Sequence, residues 1–183
     1  EHLLTLINQV LDLSKIEAGR ITRNEKNFDL SQLLDELEEM FRLLANAKGL
    51  QLLFAWAADV PRYIRTDDVK LRQVLMNLLN NAVKFMEEGD VAVRVGISDC
   101  EFGIANLKEP KSEIRNLKFE IQDTGIGILP EYLQDIFLPF HQVSDTRTGR
   151  EGTGLGLAIS RQLAHLMGSE LLIGLSLGLG LTI

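Results

Sequence analysis

The chain has 183 residues, of which 45% are apolar and 25% are charged, and its mean hydropathy is +0.05. This composition excludes a disordered chain, and the length suffices for one domain with a substantial core. With 26 acidic and 19 basic residues the net charge is −7, opposite in sign to that of a free nucleic-acid-binding protein.

The single cysteine, Cys100, excludes an internal disulfide and a multi-cysteine zinc site. No apolar run in the sequence approaches the length of about 20 residues that a membrane span needs. The lone cysteine and the acidic balance suit a reducing cytoplasm. The chain begins with Glu1 rather than Met, so we expect a piece of a longer protein.

The first segment predicts an amphipathic helix over 1–18. Apolar residues recur with heptad spacing from Leu3 to Leu13, and Gly19 suits the helix end. An isolated helix of this length is marginal in water, so the apolar stripe needs a partner. Two alternatives are open: the helix packs on its own domain, or it ends a larger helical bundle, which its terminal position favours.

The next segment predicts a strand at 21–28 and then a helix that Asp29 or Ser31 caps. Gly49 ends this helix, and an apolar strand follows at 50–57.

A third helix begins near a cap at Asp67, and from Leu71 onward its apolar residues keep helical spacing for over four turns. Alternating apolar residues then predict strands over 91–97 and 117–121, on either side of a polar loop at 98–116.

The last third of the chain predicts a helix start at Pro130, a long mobile loop at 141–152 and a fourth helix from Leu155 to Met167. One or two strands follow at 170–183. Because helices and strands mix without a steady βαβ alternation, the pattern favours an α+β fold, with helices on one face of a mixed sheet.

Three segments carry residues that suit a nucleotide. On the third helix, Asn77, Asn81 and Lys84 lie within about 60° of one another. A carboxamide oxygen is a hard ligand for Mg²⁺, and a lysine one turn on is a point charge for phosphate. The simpler alternative for this helix alone is a solvated polar face.

The second segment is Asp123-Thr124-Gly125-Ile126-Gly127-Ile128, at the end of a predicted strand. An aspartate there can accept a hydrogen bond from an exocyclic amine, and the glycines let the backbone approach a ligand closely. A plain turn is the alternative.

The third segment is Gly152-Thr153-Gly154-Leu155-Gly156-Leu157, which opens the fourth helix. Backbone amides at a helix N-terminus bind anions. The segment has neither the lysine of a Walker-type loop nor the glycine spacing of the dinucleotide fingerprint.

With these segments in this order, the chain resembles the catalytic ATP-binding domain of sensor histidine kinases, whose Bergerat fold is shared by gyrase and the large heat-shock chaperones. Residues Ile7 to Gly19 resemble the end of the second dimerisation helix, so we expect this helix over 1–19 and the catalytic domain over 20–183. The resemblance implies an α+β, two-layer α/β sandwich with an N-terminal bundle-helix remnant. Four motifs carry it: the N box (Leu71 to Phe85), the G1 box (Asp123 to Ile128), the F box (Ile136 to Phe140) and the G2 box (Gly152 to Ser160).

The resemblance implies that the chain binds ATP with Mg²⁺. Asn81 would hold the Mg²⁺, with Asn77 beside it and Lys84 near the phosphates, and Asp123 would bind the adenine amine. The other residues expected at the ATP are Phe85, Gly125, Gly127, Ile128, Phe140, Gly152, Thr153, Gly154, Leu155, Gly156, Leu157 and Thr182.

Some of these roles have alternatives. The ring of Phe85 either lines the adenine pocket or packs in the core. Residues 141–152 would form the ATP lid, on which Arg147 and Arg150 either contact the γ-phosphate or are solvated loop charges.

Three departures from the family pattern concern the C-terminal edge and the end of the N box rather than the pocket. Met86 replaces a usual hydroxyl residue, Ser169 replaces a usual glycine, and the turn at Gly178-Leu179-Gly180 is a residue short.

The expected reaction moves the γ-phosphoryl of ATP to a histidine on a bundle helix that this chain lacks, because His2, His141 and His165 lie outside the acceptor motif. Asn77 stands where hydrolysing relatives keep a glutamate, and asparagine cannot act as a general base. Transfer is therefore favoured, with a clamp-type ATPase or a degenerate binding module as alternatives.

The expected partners are the histidine-bearing dimerisation domain of the same protein and a response regulator receiver domain, with no nucleic acid. We expect a homodimer for the full-length protein, a possible monomer for this piece, and a cytoplasmic location.

Overall fold

The structure is a computed structural model that describes residues 2–20, 22–98, 116–125, 127–142, 152–174 and 178–182. The predictions for 99–115 and for Arg147 and Arg150 lie outside these residues. No helix within these ranges is long and apolar enough to cross a membrane.

In chain order, the described elements mix helices and strands without a strict alternation. Two single-turn 3₁₀ helices, Pro130–Tyr132 and Asp135–Phe137, lie between the fifth strand and the fourth helix. The elements are α1 (His2–Glu17), β1 (Lys26–Asp29), α2 (Leu30–Ala47), β2 (Gln51–Trp56), β3 (Tyr63–Thr66), α3 (Asp68–Phe85), β4 (Asp90–Ser98), β5 (Asn116–Asp123), α4 (Gly156–Leu166), β6 (Glu170–Gly174) and β7 (Gly178–Thr182).

Five strands form a mixed sheet in the order β2-β4-β5-β7-β6, in which β2 and β4 are parallel and the other neighbours are antiparallel. Alternate side chains from Val91 to Val95 and from Leu117 to Ile121 are buried, whereas Arg94 between them is exposed. Helices α2, α3 and α4 contact this sheet and complete the core with it. The predicted α+β fold, with helices on one face of a mixed sheet, is confirmed.

A two-stranded antiparallel ribbon, β1 with β3, leads the chain into two helices. Strand β1 ends at Asp29, whose Oδ1 accepts a hydrogen bond from Gln32 N and caps α2. Strand β3 ends one residue before Asp67, the cap of α3. The sequence did not predict β3, because its four residues follow Pro61 too closely to show an alternating pattern.

Helix α1 splits its apolar stripe between two environments. Leu13 and Ile16 are buried in the domain core, and α1 contacts α4. Ile7, Val10 and Leu11 remain 40–50% exposed. The domain thus covers the C-terminal part of the stripe, and the division of the chain at residue 19 stays a prediction.

The predicted turn at Gly178-Leu179-Gly180 is wrong. These residues lie in β7, paired with β5 on one side and β6 on the other. Glycines in the sequence suggested a turn, but their backbone groups follow the ladder of an inner strand.

Candidate functional site

Helix α3 is the scaffold of the site, and both of its ends are fixed by side chains. At the first turn, Asp67 Oδ1 accepts a hydrogen bond from Lys70 N at 3.1 Å. At the last turn, Lys48 Nζ donates to Val83 O at 2.7 Å and to Lys84 O at 3.2 Å. The last carbonyls of a helix have no partner within the helix, so Lys48 supplies one and places a cation at the negative end of the dipole.

A buried ion pair fixes the start of α3 to the chain that follows α1. Lys70 Nζ lies 2.5 Å from Asp67 Oδ2 and donates to Thr22 O at 2.9 Å, and Asn24 N donates to the same carboxylate at 2.8 Å. Burial alone would raise the pKa of Asp67, but the hydrogen bonds from Lys70 and Asn24 outweigh it and hold the pKa below its ordinary value. Sequence reasoning missed this pair; its signal is an aspartate and a lysine three residues apart at a helix start.

Asn77, the first asparagine of the N box, faces α4. Asn77 Nδ2 donates to Ser160 Oγ at 2.7 Å, and Ser160 is almost fully buried. A Cβ added at Gly156 would lie only 2.4 Å from Asn77 Oδ1. The contact of Asn77 with the nucleotide stays a prediction; in this structure its amide nitrogen is engaged by Ser160 of the G2 box.

The polar side of α3 continues through the half-buried Asn81 to Lys84. A Cβ added at Gly152 would lie 3.3 Å from Lys84 Nζ, so the start of the G2 box lies against this lysine. Gln142 Nε2 donates to Gly152 O at 2.6 Å and helps to hold the glycine there.

Phe85 ends the helix with an exposed ring. Its side chain is 43% exposed, and Lys84 Nζ lies 5.3 Å from the ring centroid. The alternative of ordinary core packing for Phe85 is excluded by this exposure, and the ring is available to a ligand.

The G1 box lies against the C-terminal end of α3. Asp123 Oδ1 accepts a hydrogen bond from Gly125 N at 3.0 Å. A Cβ added at Gly125 would lie 3.4 Å from Met86 Cγ and 3.8 Å from Phe85 O. Gly127 has a φ of +69°, which explains a glycine there.

The G2 box opens α4 with free backbone donors. Leu155 holds the cap position, where its side chain cannot accept hydrogen bonds from the first-turn amides of Gly156 and Leu157. Thr153 Oγ1 accepts a hydrogen bond from Leu155 N at 3.3 Å. Leu155 itself is fully buried, so the prediction that it binds ATP can hold for its backbone only.

The contact of Thr182 with the adenine stays a prediction, and the strand register does not favour it. Thr182 lies opposite Lys118 on β5, whereas Asp123 lies at the other end of that strand. Five residues of strand separate the two positions by about 17 Å. Ile128 and Phe140 are exposed near the G1 and G2 boxes, and their contacts with ATP stay predictions.

The three polar segments thus meet on one helix, although they are far apart in the sequence. Asn77 contacts the middle of the G2 box, Lys84 lies at its start, and Phe85 with Met86 touches the G1 box. From Asn77 to Phe85 the helix rises about 12 Å.

This donor set fits an anionic nucleotide with Mg²⁺: a carboxylate at one end, and a carboxamide, an ammonium and helix-start amides at the other. The described residues hold no group of three histidine, cysteine, aspartate or glutamate side chains that could bind a metal by itself. A metal here would therefore rely on Asn81 together with ligand oxygens.

Comparisons with known proteins identify the family of this chain. Residues 66–183 match the family described as histidine kinase-, DNA gyrase B-, and HSP90-like ATPase. The aerobic respiration control sensor protein ArcB of Escherichia coli (strain K12) is 35% identical over 179 residues, which are 97% of this chain and 21% of ArcB. The chain thus spans about a fifth of that relative.

Two solved structures share the fold. The crystal structure of full-length ShkA in complex with AMPPNP matches with a TM-score of 0.74 and 31% identity. The match covers 99% of this chain and 35% of the ShkA chain. The crystal structure of the histidine kinase ThkA in complex with the response regulator protein TrrA matches with a TM-score of 0.70 and 19% identity. The match covers 100% of this chain and 47% of the matched chain. The chain therefore belongs to the family of histidine kinase-, DNA gyrase B-, and HSP90-like ATPases.

Proposed function

We propose that this domain binds ATP together with Mg²⁺ and presents the γ-phosphoryl group to a histidine on a dimerisation helix. Asp123 binds the adenine amine at one end of the site. Asn81 holds the Mg²⁺ through its carboxamide oxygen, and Lys84 with the first-turn amides of α4 binds the phosphates.

One observation carries this proposal: the G2 box lies against Asn77 and Lys84 of α3, and the G1 box lies against Phe85 and Met86 at the end of the same helix. Asn81 lies between these contacts, one turn after Asn77 and less than one turn before Lys84. A ligand that reaches from Asp123 to the start of α4 must therefore pass Asn81.

The mechanism follows from positioning. Phosphoryl transfer needs little covalent help from protein groups, so charge neutralisation and alignment do most of the work. Mg²⁺, when bound, neutralises phosphate charge. Lys84 adds a fixed positive charge, and the amides of Gly156 and Leu157 donate to phosphate oxygens in an orientation that α4 determines.

The proposal places the acceptor histidine outside this chain. His165 lies exposed on α4, and His141 is half-buried beside the F box. His2 begins α1, the helix that resembles the dimerisation domain, but it does not stand in the acceptor motif of a histidine followed by an acid. We assign as partners the histidine-bearing domain of the same protein, in a homodimer, and a response regulator receiver domain, in the cytoplasm. The relative ThkA, solved with its response regulator, supports the second partner.

Hydrolysis is the competing function. Asn77 occupies the position of the expected general base, and its amide already donates to Ser160 Oγ. An asparagine in this contact cannot take a proton from water, which favours transfer.

The experiment has two stages. Calorimetry of the chain with a non-hydrolysable ATP analogue, with and without Mg²⁺, should show Mg²⁺-dependent binding. Asn81→Ala should lose the Mg²⁺ dependence, whereas Asn80→Ala, an exposed neighbour on the same helix, should retain it. Equal affinity in the unaltered chain and Asn81→Ala would refute the metal assignment.

In the second stage, the histidine-bearing bundle is added and phosphate is followed from ATP labelled at the γ position. Label on the bundle histidine supports transfer. Release of inorganic phosphate without the bundle would instead support the clamp-type ATPase, and binding with neither product would support a binding module.

A further inference from the structure

The contact between Asn77 and α4 is not explained by ATP binding. Asn77 Nδ2 donates to Ser160 Oγ at 2.7 Å. A Cβ added at Gly156 would lie only 2.4 Å from Asn77 Oδ1, which is too close for a side chain at that position. Gly156 and Ser160 are four residues apart, so they lie on the same side of α4 in successive turns. One side chain on α3 therefore contacts α4 twice along one line.

We infer that Asn77 is a positioning residue: it sets the distance and register of the phosphate-binding start of α4 against α3, and Gly156 is the residue that leaves room for it. This inference rests on the proposed function, because it assigns Asn77 a role at the phosphate end of the same site.

The chemistry of the contact explains why an amide suits the position. Ser160 is 1% exposed, so its hydroxyl would lose a partner if Asn77 were apolar, which is costly for a buried polar group. A glycine at 156 brings α4 within reach of the amide, and any larger residue there would push the two helices apart.

The consequence for the ligand is local. Gly156 and Leu157 supply first-turn amides for the phosphates, and donors that are displaced by about 1 Å lose much of their effect. Asp123 lies beyond the other end of the helix segment, near Phe85 and Met86, and does not depend on the start of α4. Loss of Asn77 should therefore weaken triphosphate binding and spare nucleoside binding.

The first test measures the packing relationship in the ligand-free chain. Gly156→Ala should lower the free energy of unfolding strongly in the unaltered chain and much less in an Asn77→Ala background, because the clashing atoms are then absent. Asn80→Ala, on the same helix but exposed, is the matched background and should leave the full penalty in place. Equal penalties in all three backgrounds would overturn the inference.

The second test compares two probes by calorimetry, an ATP analogue with Mg²⁺ and adenosine. Asn77→Ala and Ser160→Ala should each weaken the ATP analogue about tenfold or more, and change adenosine affinity less than about twofold. A purely structural role would weaken both probes together, and an equal loss, or no loss, overturns the inference.

The two proposals fail differently. If the unaltered chain binds the ATP analogue but the variants show no split between the probes, only the positioning role is wrong. If the unaltered chain binds no ATP analogue, the proposed function is wrong and the positioning role is overturned with it.

Discussion

The backbones of Gly154 and Phe140 are in direct contact, and they leave no space for a side chain at position 154. A Cβ at Gly154 would stand 2.7 Å from the carbonyl carbon of Phe140, and Phe140 N donates to Gly154 O at 3.0 Å. Both residues have a positive φ, +67° for Gly154 and +63° for Phe140. The F box and the G2 box are thus joined through their backbones.

This contact predicts that Gly154→Ala is more harmful than its backbone conformation alone implies. The left-handed conformation costs about 1 kcal/mol for alanine, and the clash with Phe140 adds about 1–3 kcal/mol. Gly49→Ala is the matched control, because Gly49 has a φ of +72° and nothing within 4 Å of its added Cβ. Denaturant unfolding measures the loss of unfolding free energy in both variants. Equal losses for Gly154→Ala and Gly49→Ala would contradict the clash with Phe140.

Asp123→Asn should separate adenine recognition from folding. Asparagine keeps the oxygen that accepts from Gly125 N, so we expect little change in the unfolding midpoint. The carboxylate that we propose as the acceptor for the adenine amine is lost, so ATP-analogue affinity should fall by about tenfold, in line with the loss of a hydrogen bond to a charged group. Calorimetry checks this, and an unchanged dissociation constant would exclude Asp123 from the adenine site.

Lys48→Met should weaken the C-terminal end of α3. The variant removes the hydrogen bonds to Val83 O and Lys84 O and the favourable charge at the helix end, which together contribute about 1 kcal/mol. Lys118→Met is the comparison, since the Lys118–Glu120 pair is exposed and 3.8 Å long and should contribute close to nothing. Thermal unfolding of both variants distinguishes a helix cap from a general effect of lost charge.

Asp67 should make the domain acid-sensitive. Because its pKa is lowered in the folded state, its carboxylate stabilises the fold above the unfolded pKa of about 3.9, and this contribution is lost as the pH falls through the lower folded pKa. The difference in unfolding free energy between the unaltered chain and Asp67→Asn should therefore shrink as the pH falls from about 5 toward 3.

Lys70→Met tests the cause of that shift. Without the ammonium, the pKa of Asp67 should rise from its lowered value, because burial is then opposed only by the backbone hydrogen bonds from Asn24 and from residue 70. The acid-induced loss should therefore begin at a higher pH than in the unaltered chain. Identical acid unfolding curves would show that Lys70 does not set the pKa.

The sequence predicted those elements whose periodicity is long. The apolar spacing of α3 extends over more than four turns, and the cap at Asp67 is observed. Short elements were less predictable: β3 has only four residues, and the glycines of β7 suggested a turn, since pairing with β5 and β6 is a long-range property.

The candidate site residues could be selected from their residue types, whereas their contacts with one another come only from the structure. Asn81, Lys84 and Asp123 could be selected because their residue types suit metal, phosphate and amine. The partnership of Asn77 with Ser160 could not, because 83 residues separate the two and only the packing of α3 on α4 brings them together. The distance of Thr182 from Asp123 could not be predicted either, because only the strand register determines it.

The ion pair at the first turn of α3 has a mechanical consequence. Lys70 holds the carbonyl of Thr22, in the stretch that leaves α1, and Asp67 holds the amide of Asn24. A movement of α1 that displaces this stretch would therefore pull on the first turn of α3, the helix that carries Asn81 and Lys84.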